Sequence, residues 1–223
     1  MTWIKICGTT NLEDAQLAAA AGADALGFIF APSPRQIDPA TAAEIIRALP
    51  KGIVRVGVFV NESLATITQI VAEAGLNTVQ IHGDGPPLPA SLKAVEEVLG
   101  QECGIIRAIP GERLSGDFMF SESFALPNRA VLLDNARSDS SGGTGKSFDW
   151  STVASNVRLM SDRFDLKFII AGGLTPGNVG EAIRLFRPWG VDVVSGVEAK
   201  PGKKDPQKLR DFIQAVRDAG KAS

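Results

Sequence analysis

The alternation of short β-branched runs with Ala- and Leu-rich stretches is the feature that most restricts how this chain can fold. Eight apolar runs are predicted strands, at residues 3–7, 25–30, 53–60, 78–81, 104–109, 130–134, 167–171 and 191–195. Between them, apolar residues recur three and four apart, which is typical of amphipathic helices, at 11–21, 39–49, 63–74, 89–99, 150–160, 176–186 and 206–219. Strands that alternate with helices pair in parallel through right-handed crossovers.

Eight such units in 223 residues average about 28 residues each, close to the lower limit for a closed barrel of this kind. We therefore predict an α/β fold, a (β/α)8 TIM barrel that forms a single domain over residues 1–223. A doubly wound open sheet is the alternative. It would normally carry a glycine-rich fingerprint after its first strand, and the sequence of residues 7–11, CGTTN, is not one.

Composition excludes several functional classes. Hydrophobic residues make up 44% of the chain and charged residues 22%, and the formal net charge is −2, so the chain has no basic field for nucleic acid. No apolar run approaches the roughly 20 residues of a membrane helix, and the N-terminus lacks the apolar stretch of a signal peptide. We expect a cytoplasmic protein without nucleic-acid or membrane partners. Two cysteines and one histidine predict neither a disulfide framework nor a metal site.

Strand parity places three reactive side chains at one end of the predicted barrel. Cys7, His82 and Asp134 lie at the carboxyl ends of different strands, and alternation points Lys5 inward on the same strand as Cys7. Active sites of such barrels are built at this face.

Cys7 is the candidate general base, although a free cysteine is most often a small buried hydrophobe. A thiol of pKa about 8.5 is little ionised at neutral pH, so a nearby cation such as Lys5, or bound substrate, is needed to favour the thiolate. Cys103 precedes the fifth strand and is expected at the opposite face. Thiol reagents are therefore expected to modify Cys7 first.

Asp134 ends an apolar strand, a place where aspartate often simply begins a turn. The polar, glycine-rich loop at residues 135–147 follows it and is a candidate lid. The Gly-Lys-Ser sequence at 145–147 suggests a nucleotide-binding loop, but Ser140 stands where that motif requires glycine.

Two glycine-containing loops follow the seventh and eighth strands, the pair from which many barrels bind phosphate through backbone N–H groups. They contain Gly172 and Gly173, and Ser195 and Gly196. Arg35, after the second strand, suits a carboxylate or a second anionic group, although a lone loop arginine is more often a solvated surface residue. His82 is likewise more often structural than a ligand.

The ordered motifs resemble those of the phosphoribosylanthranilate isomerase family along nearly the whole chain. They are KICG at residues 5–8, FAPSPR at 30–35, VGVF at 56–59, VQIHG at 79–83, LD at 133–134 with GGTG at 142–145, FDW at 148–150, AGGL at 171–174 and DVVSGVE at 192–198. Arg107 stands where the family pattern suggests lysine, and residues 84–102 carry no family motif.

The resemblance implies a cofactor-independent Amadori rearrangement in tryptophan biosynthesis, an aldose-to-ketose isomerisation of a phosphosugar substrate by a monomer or homodimer. It implies Asp134 as general acid, which requires a raised pKa, and Cys7 as general base. It assigns Arg35 to the substrate carboxylate, places His82 in the substrate-binding set, and gives Gly172, Gly173, Ser195 and Gly196 the phosphate. A related phosphosugar isomerase or epimerase and a catalytically silent phosphosugar-binding protein are the alternatives.

Overall fold

Eight parallel strands close into a barrel in chain order, as predicted. The computed structural model describes residues 1–83, 97, 99–100, 103–111, 114, 129–134 and 150–221. The strands are β1 Trp3–Cys7, β2 Ala25–Ile29, β3 Val54–Val60, β4 Thr78–His82, β5 Gly104–Pro110, β6 Arg129–Asp134, β7 Phe168–Ala171 and β8 Gly190–Val193. The described helices are α1 Leu12–Ala21, α2 Pro39–Arg47, α3 Leu64–Ala74, α4 Trp150–Phe164, α5 Val179–Phe186 and α6 Pro206–Ala219.

Alternation along each strand separates two environments. On β1, Ile4 and Ile6 point outward and join the large apolar core beneath the helices, whereas Lys5 and Cys7 point into the barrel. A smaller cluster inside the barrel contains Ala25, Val56, Ile106, Ala108, Leu132, Ile169 and Ala171. The outer core therefore holds the helices on the barrel, and the interior is left to carry polar groups near its carboxyl-terminal end.

Polar side chains cap the N-termini of the helices that follow the first three strands. The Asn11 side chain accepts from the N–H of Asp14 at 2.9 Å, and Ser63 caps α3 in the same way at 3.1 Å. The predicted start of a helix at Thr175 and Pro176 is wrong, because α5 begins at Val179.

A two-stranded hairpin after the eighth strand was not predicted. A 3₁₀ turn at Ser195–Val197 leads into β9 Glu198–Lys200, which pairs antiparallel with β10 Lys203–Lys204. The N–H of Lys204 donates to Asp14 Oδ2 at 2.7 Å, so the hairpin is held against α1.

Several predictions fall outside the described residues. These are most of the helix at 89–99, the nucleotide-loop comparison at 140 and 145–147, and the lid at 135–147. None of the helices within the described residues combines the length and apolar character needed to cross a membrane.

Candidate active site

A buried ion pair lies beside Cys7 at the carboxyl-terminal end of the barrel interior. Lys5 is fully buried, and its Nζ lies 2.9 Å from Oδ1 of Asp192 on the neighbouring strand β8. Burial disfavours the Lys5 charge, but Asp192 and Cys7 outweigh it and raise the pKa of the ammonium. Lys5 thus remains a fixed cation close to Cys7, since Lys5 Cε and Cys7 Sγ both lie next to Gly27.

The Cys7 thiol is only 2% exposed. Burial raises its pKa above the usual value, and the Lys5 cation opposes this only in part. Cys7 is therefore less exposed than its place at the open end of the barrel suggested, and its preferential modification by thiol reagents stays a prediction. Cys103 lies just before β5, at the opposite end as predicted; it is also buried, and burial raises the pKa of its thiol.

Gly27 makes the space that Cys7 occupies. It is the register partner of Cys7 on β2, and a Cβ placed on Gly27 would lie 2.6 Å from Cys7 Sγ and 3.1 Å from Lys5 Cε. Sequence reasoning missed Gly27. The only sign of its role in the sequence is that a glycine stands within an apolar strand.

His82 and Gln80 form a hydrogen-bonded pair on β4 at the same end of the interior. Gln80 Nε2 lies 2.6 Å from His82 Nε2, so the two side chains are within hydrogen-bond distance. Burial, followed by the charges of Lys5 and Arg107, lowers the pKa of His82 to about 4. His82 is therefore a neutral imidazole at pH 7, suited to hydrogen bonding rather than to ion pairing.

Asp134 is the last residue of β6 and is partly buried. It lies in register with Pro110 of β5 and Ala171 of β7. Since β7 and β8 separate β6 from β1, Asp134 and Cys7 approach the barrel entrance from well-separated strands.

The two glycine loops are in contact. Gly172 and Gly173 adopt positive φ of +82° and +69°, and a Cβ on Gly196 would overlap the backbone carbonyl of Leu174. Only glycine at 196 permits the loop after β8 to lie directly on the loop after β7. The structure thus brings the four predicted phosphate-binding residues to one edge of the barrel.

Arg35 is paired with a carboxylate and is not a lone solvated arginine of the surface. Its Nε and Nη2 reach both carboxylate oxygens of Glu198 at 2.7 to 3.1 Å. Lys204 Nζ lies 3.3 Å from Glu198 Oε1 and 2.6 Å from the carbonyl oxygen of Cys7. Hydrogen bonding to Arg35 and the Lys204 charge together outweigh burial and lower the pKa of Glu198.

Sequence reasoning gave no role to Asp192, Glu198 or Lys204. Asp192 was detectable in principle as a carboxylate within an apolar strand, whereas nothing local marks the other two. Among the described residues, no three His, Cys, Asp or Glu side chains come together as metal ligands.

Comparison with known proteins shows which family the chain is similar to. Residues 4–215 match the family model for N-(5'-phosphoribosyl)anthranilate isomerase. The chain belongs to the phosphoribosylanthranilate isomerase family. A relative from Pelobacter propionicus is 42% identical over 219 residues, covering 98% of this chain and 97% of the relative. Membership in this family makes the chain an isomerase.

Solved phosphoribosylanthranilate isomerases share the fold over their whole length. The Thermotoga maritima enzyme is 37% identical, with a TM-score of 0.79, and the match covers 98% of this chain and 100% of that one. Another, solved with reduced 1-(o-carboxyphenylamino)-1-deoxyribulose 5-phosphate, is 36% identical, with a TM-score of 0.77 and the same coverage.

Proposed function

We propose that this chain catalyses the Amadori rearrangement of N-(5'-phosphoribosyl)anthranilate to 1-(2-carboxyphenylamino)-1-deoxyribulose 5-phosphate. The reaction belongs to the tryptophan pathway of the cytoplasm. Asp134 acts as general acid and Cys7 as general base. The observation that carries the proposal is the placement of Cys7 beside a fixed cation at the end of the barrel that Asp134 also reaches. Family membership supplies the substrate, because relatives of this chain are N-(5'-phosphoribosyl)anthranilate isomerases.

The chemistry divides into two proton transfers. Asp134 gives a proton to the furanose ring oxygen, and the ring opens as the C1′–O bond breaks and nitrogen donates its electron pair to form an iminium. Cys7 thiolate then removes the proton from C2′; the C2′–H electron pair forms the C1′–C2′ double bond of an enolamine as the C1′–N π pair returns to nitrogen. The enolamine gains a proton at C1′ and loses one from its C2′ hydroxyl to give the ketone. Once Asp134 regains its proton and Cys7 loses the one it took, the product is an isomer of the substrate.

The Cys7 thiol has to lose its proton before it can act as the base. In the free protein, burial keeps the proton on sulfur more than a water-exposed site would. Lys5, and the positive charge of the iminium once the ring has opened, both favour the thiolate. Cys7 therefore acts as a base through the fraction of thiolate that these charges favour.

The two anionic ends of the substrate would be held separately. The contacting loops around Gly173 and Gly196 offer backbone N–H groups to the phosphate, and Arg35 has the charge for the anthranilate carboxylate. Neutral His82 would hydrogen-bond the sugar. One solved relative is described as dimeric, and we propose a monomer or homodimer of one-domain chains here.

The kinetic test uses Cys7→Ala and Asp134→Asn, with binding measured beside turnover. Each variant should lower kcat for N-(5'-phosphoribosyl)anthranilate by at least about 100-fold and still bind the reduced product analogue. A near-normal kcat in either variant would contradict its assigned role. Wild-type binding without turnover would instead favour a silent phosphosugar-binding protein.

A further inference from the structure

Arg35 is held on two sides before any ligand arrives. Glu198 binds the Nε and Nη2 edge of its guanidinium. The aliphatic stem lies against Gly8, where a Cβ would come within 2.8 Å of Arg35 Cδ. Within the described part of the chain, Nη1 makes no hydrogen bond, so the second edge of the fork is left for another acceptor.

Lys204 joins this arginine to the backbone of the proposed base. It is 1% exposed, and its Nζ donates to the carbonyl oxygens of Cys7 at 2.6 Å and Val194 at 3.3 Å, as well as to Glu198. Glu198 Oε1 also accepts from the N–H of Gly202 at 3.2 Å. The carboxylate therefore lies between two cations and is fixed by the turn of the hairpin.

We propose that Glu198 is a positioning residue. It holds Arg35 so that the Nη1 edge of the guanidinium faces the aromatic carboxylate of the substrate. Through Lys204, Glu198 also fixes the position of that edge relative to Cys7. The inference deepens the proposed function and rests on it. Glu198 itself touches neither substrate nor reacting atoms.

Charge and entropy both favour this role. Glu198 alone would neutralise Arg35 and repel an incoming carboxylate, but Lys204 restores one net positive charge to the three-residue cluster. An arginine whose flexible side chain is already ordered loses less conformational entropy when the ligand binds. If Glu198 only anchored the hairpin, replacing it would change the stability of the protein and leave ligand affinity unchanged.

The test compares two ligands that differ only in the carboxylate. They are the reduced product analogue and its phenylamino counterpart, which lacks that group. Glu198→Gln should weaken binding of the first about tenfold, raise KM by a similar factor, change kcat less than about threefold, and leave binding of the second unchanged. Glu198→Asp, which keeps the charge, should recover part of the lost affinity.

A double-mutant cycle with Arg35→Ala shows whether Glu198 acts through Arg35. In the Arg35→Ala background, Glu198→Gln should cause no further loss of affinity for the carboxylate-bearing ligand. Glu13→Gln is the matched control, because Glu13 pairs with neighbouring Lys203 at 2.7 Å but is 81% exposed; its affinities should equal those of wild type.

Three results would overturn the inference. They are additive losses in the cycle, equal weakening of both ligands, or lowered stability of Glu198→Gln and Glu198→Asp with unchanged affinities. These leave the proposed function intact if the wild type still turns over its substrate. A wild type that binds neither ligand would remove the proposed function and the inference together.

Discussion

The same strands form both ends of the barrel, but one end buries charged side chains and the other stacks aromatic ones. At the carboxyl-terminal end, which we call the mouth, Lys5 and Asp192 are buried as an ion pair. At the amino-terminal end, the floor, Trp3 and Trp189 stack with ring centroids 4.8 Å apart. The stack borders a cavity of about 320 Å³.

The contrast separates the residues that hold the barrel together from those that do chemistry. Burying charges is costly unless they are paired, and the mouth contains such charges next to the proposed base. The floor contains aromatic surface, which stabilises the fold by burial and stacking. Variants at the two ends should therefore differ in which property they change.

The largest effect is expected for Lys5→Met. Removing Lys5 leaves Asp192 as an uncompensated buried charge, so the free energy of unfolding should fall by about 3–5 kcal/mol. The pKa that governs the rise of kcat/KM with pH should also move upward, because Cys7 loses the cation that opposes burial. Chemical denaturation and a pH–rate profile measure these two changes.

The double variant Lys5→Met/Asp192→Leu sharpens this result. Apolar side chains can replace a buried ion pair with little loss of stability, so most of the unfolding free energy should return while turnover stays low. Recovery of both properties would show that the pair is structural only.

The second effect is a pH dependence of stability that arises at His82. Its pKa is about 4 in the folded protein, against 6.5 as the ordinary value. As pH falls below 6.5 the unfolded chain binds a proton first, and the folded state loses up to about 3 kcal/mol by pH 4. Below that pH both states are protonated and the loss stops.

His82→Asn isolates this contribution. The difference in unfolding free energy between wild type and variant should shift in favour of the variant between pH 6.5 and pH 4. Parallel pH dependences for the two proteins would show that His82 is not held neutral in the mouth.

The smallest effect is expected at the floor, from Trp3→Ala. The side chain is half-buried and stacked, so its loss should lower the free energy of unfolding by about 2 kcal/mol. Turnover should stay within about twofold of wild type, because Trp3 lies at the far end of the barrel from Cys7. A large fall in kcat would mean that the two ends are coupled.

The positions of the strands and the inward direction of the Cys7 side chain could be predicted, because both follow from local periodicity. The helix predicted at 176–186 begins three residues late, because the chain makes a further turn before Val179. Periodicity also says which residues point inward, but not which strand lies next to which until closure of the barrel pairs β1 with β8.

The pairing of Arg35 with Glu198 could not be predicted from the sequence alone. The two residues are 163 positions apart, and the hairpin that carries Glu198 has only a Pro-Gly turn between two lysine-containing segments as its signal. The burial of Cys7 could not be predicted for a related reason. Proximity to Lys5 could be inferred from parity, whereas the opposing burial depends on how tightly Gly27 lets β1 and β2 approach.

The most direct test of the central claim is turnover of N-(5'-phosphoribosyl)anthranilate, followed by the loss of its fluorescence, with wild type and Cys7→Ala compared at equal concentration. We expect conversion by the wild type without added metal or cofactor and a rate at least about 100-fold lower for the variant. Wild-type protein that leaves the substrate unchanged would contradict the proposed reaction, and a Cys7→Ala variant that converts it at the normal rate would contradict the role of Cys7.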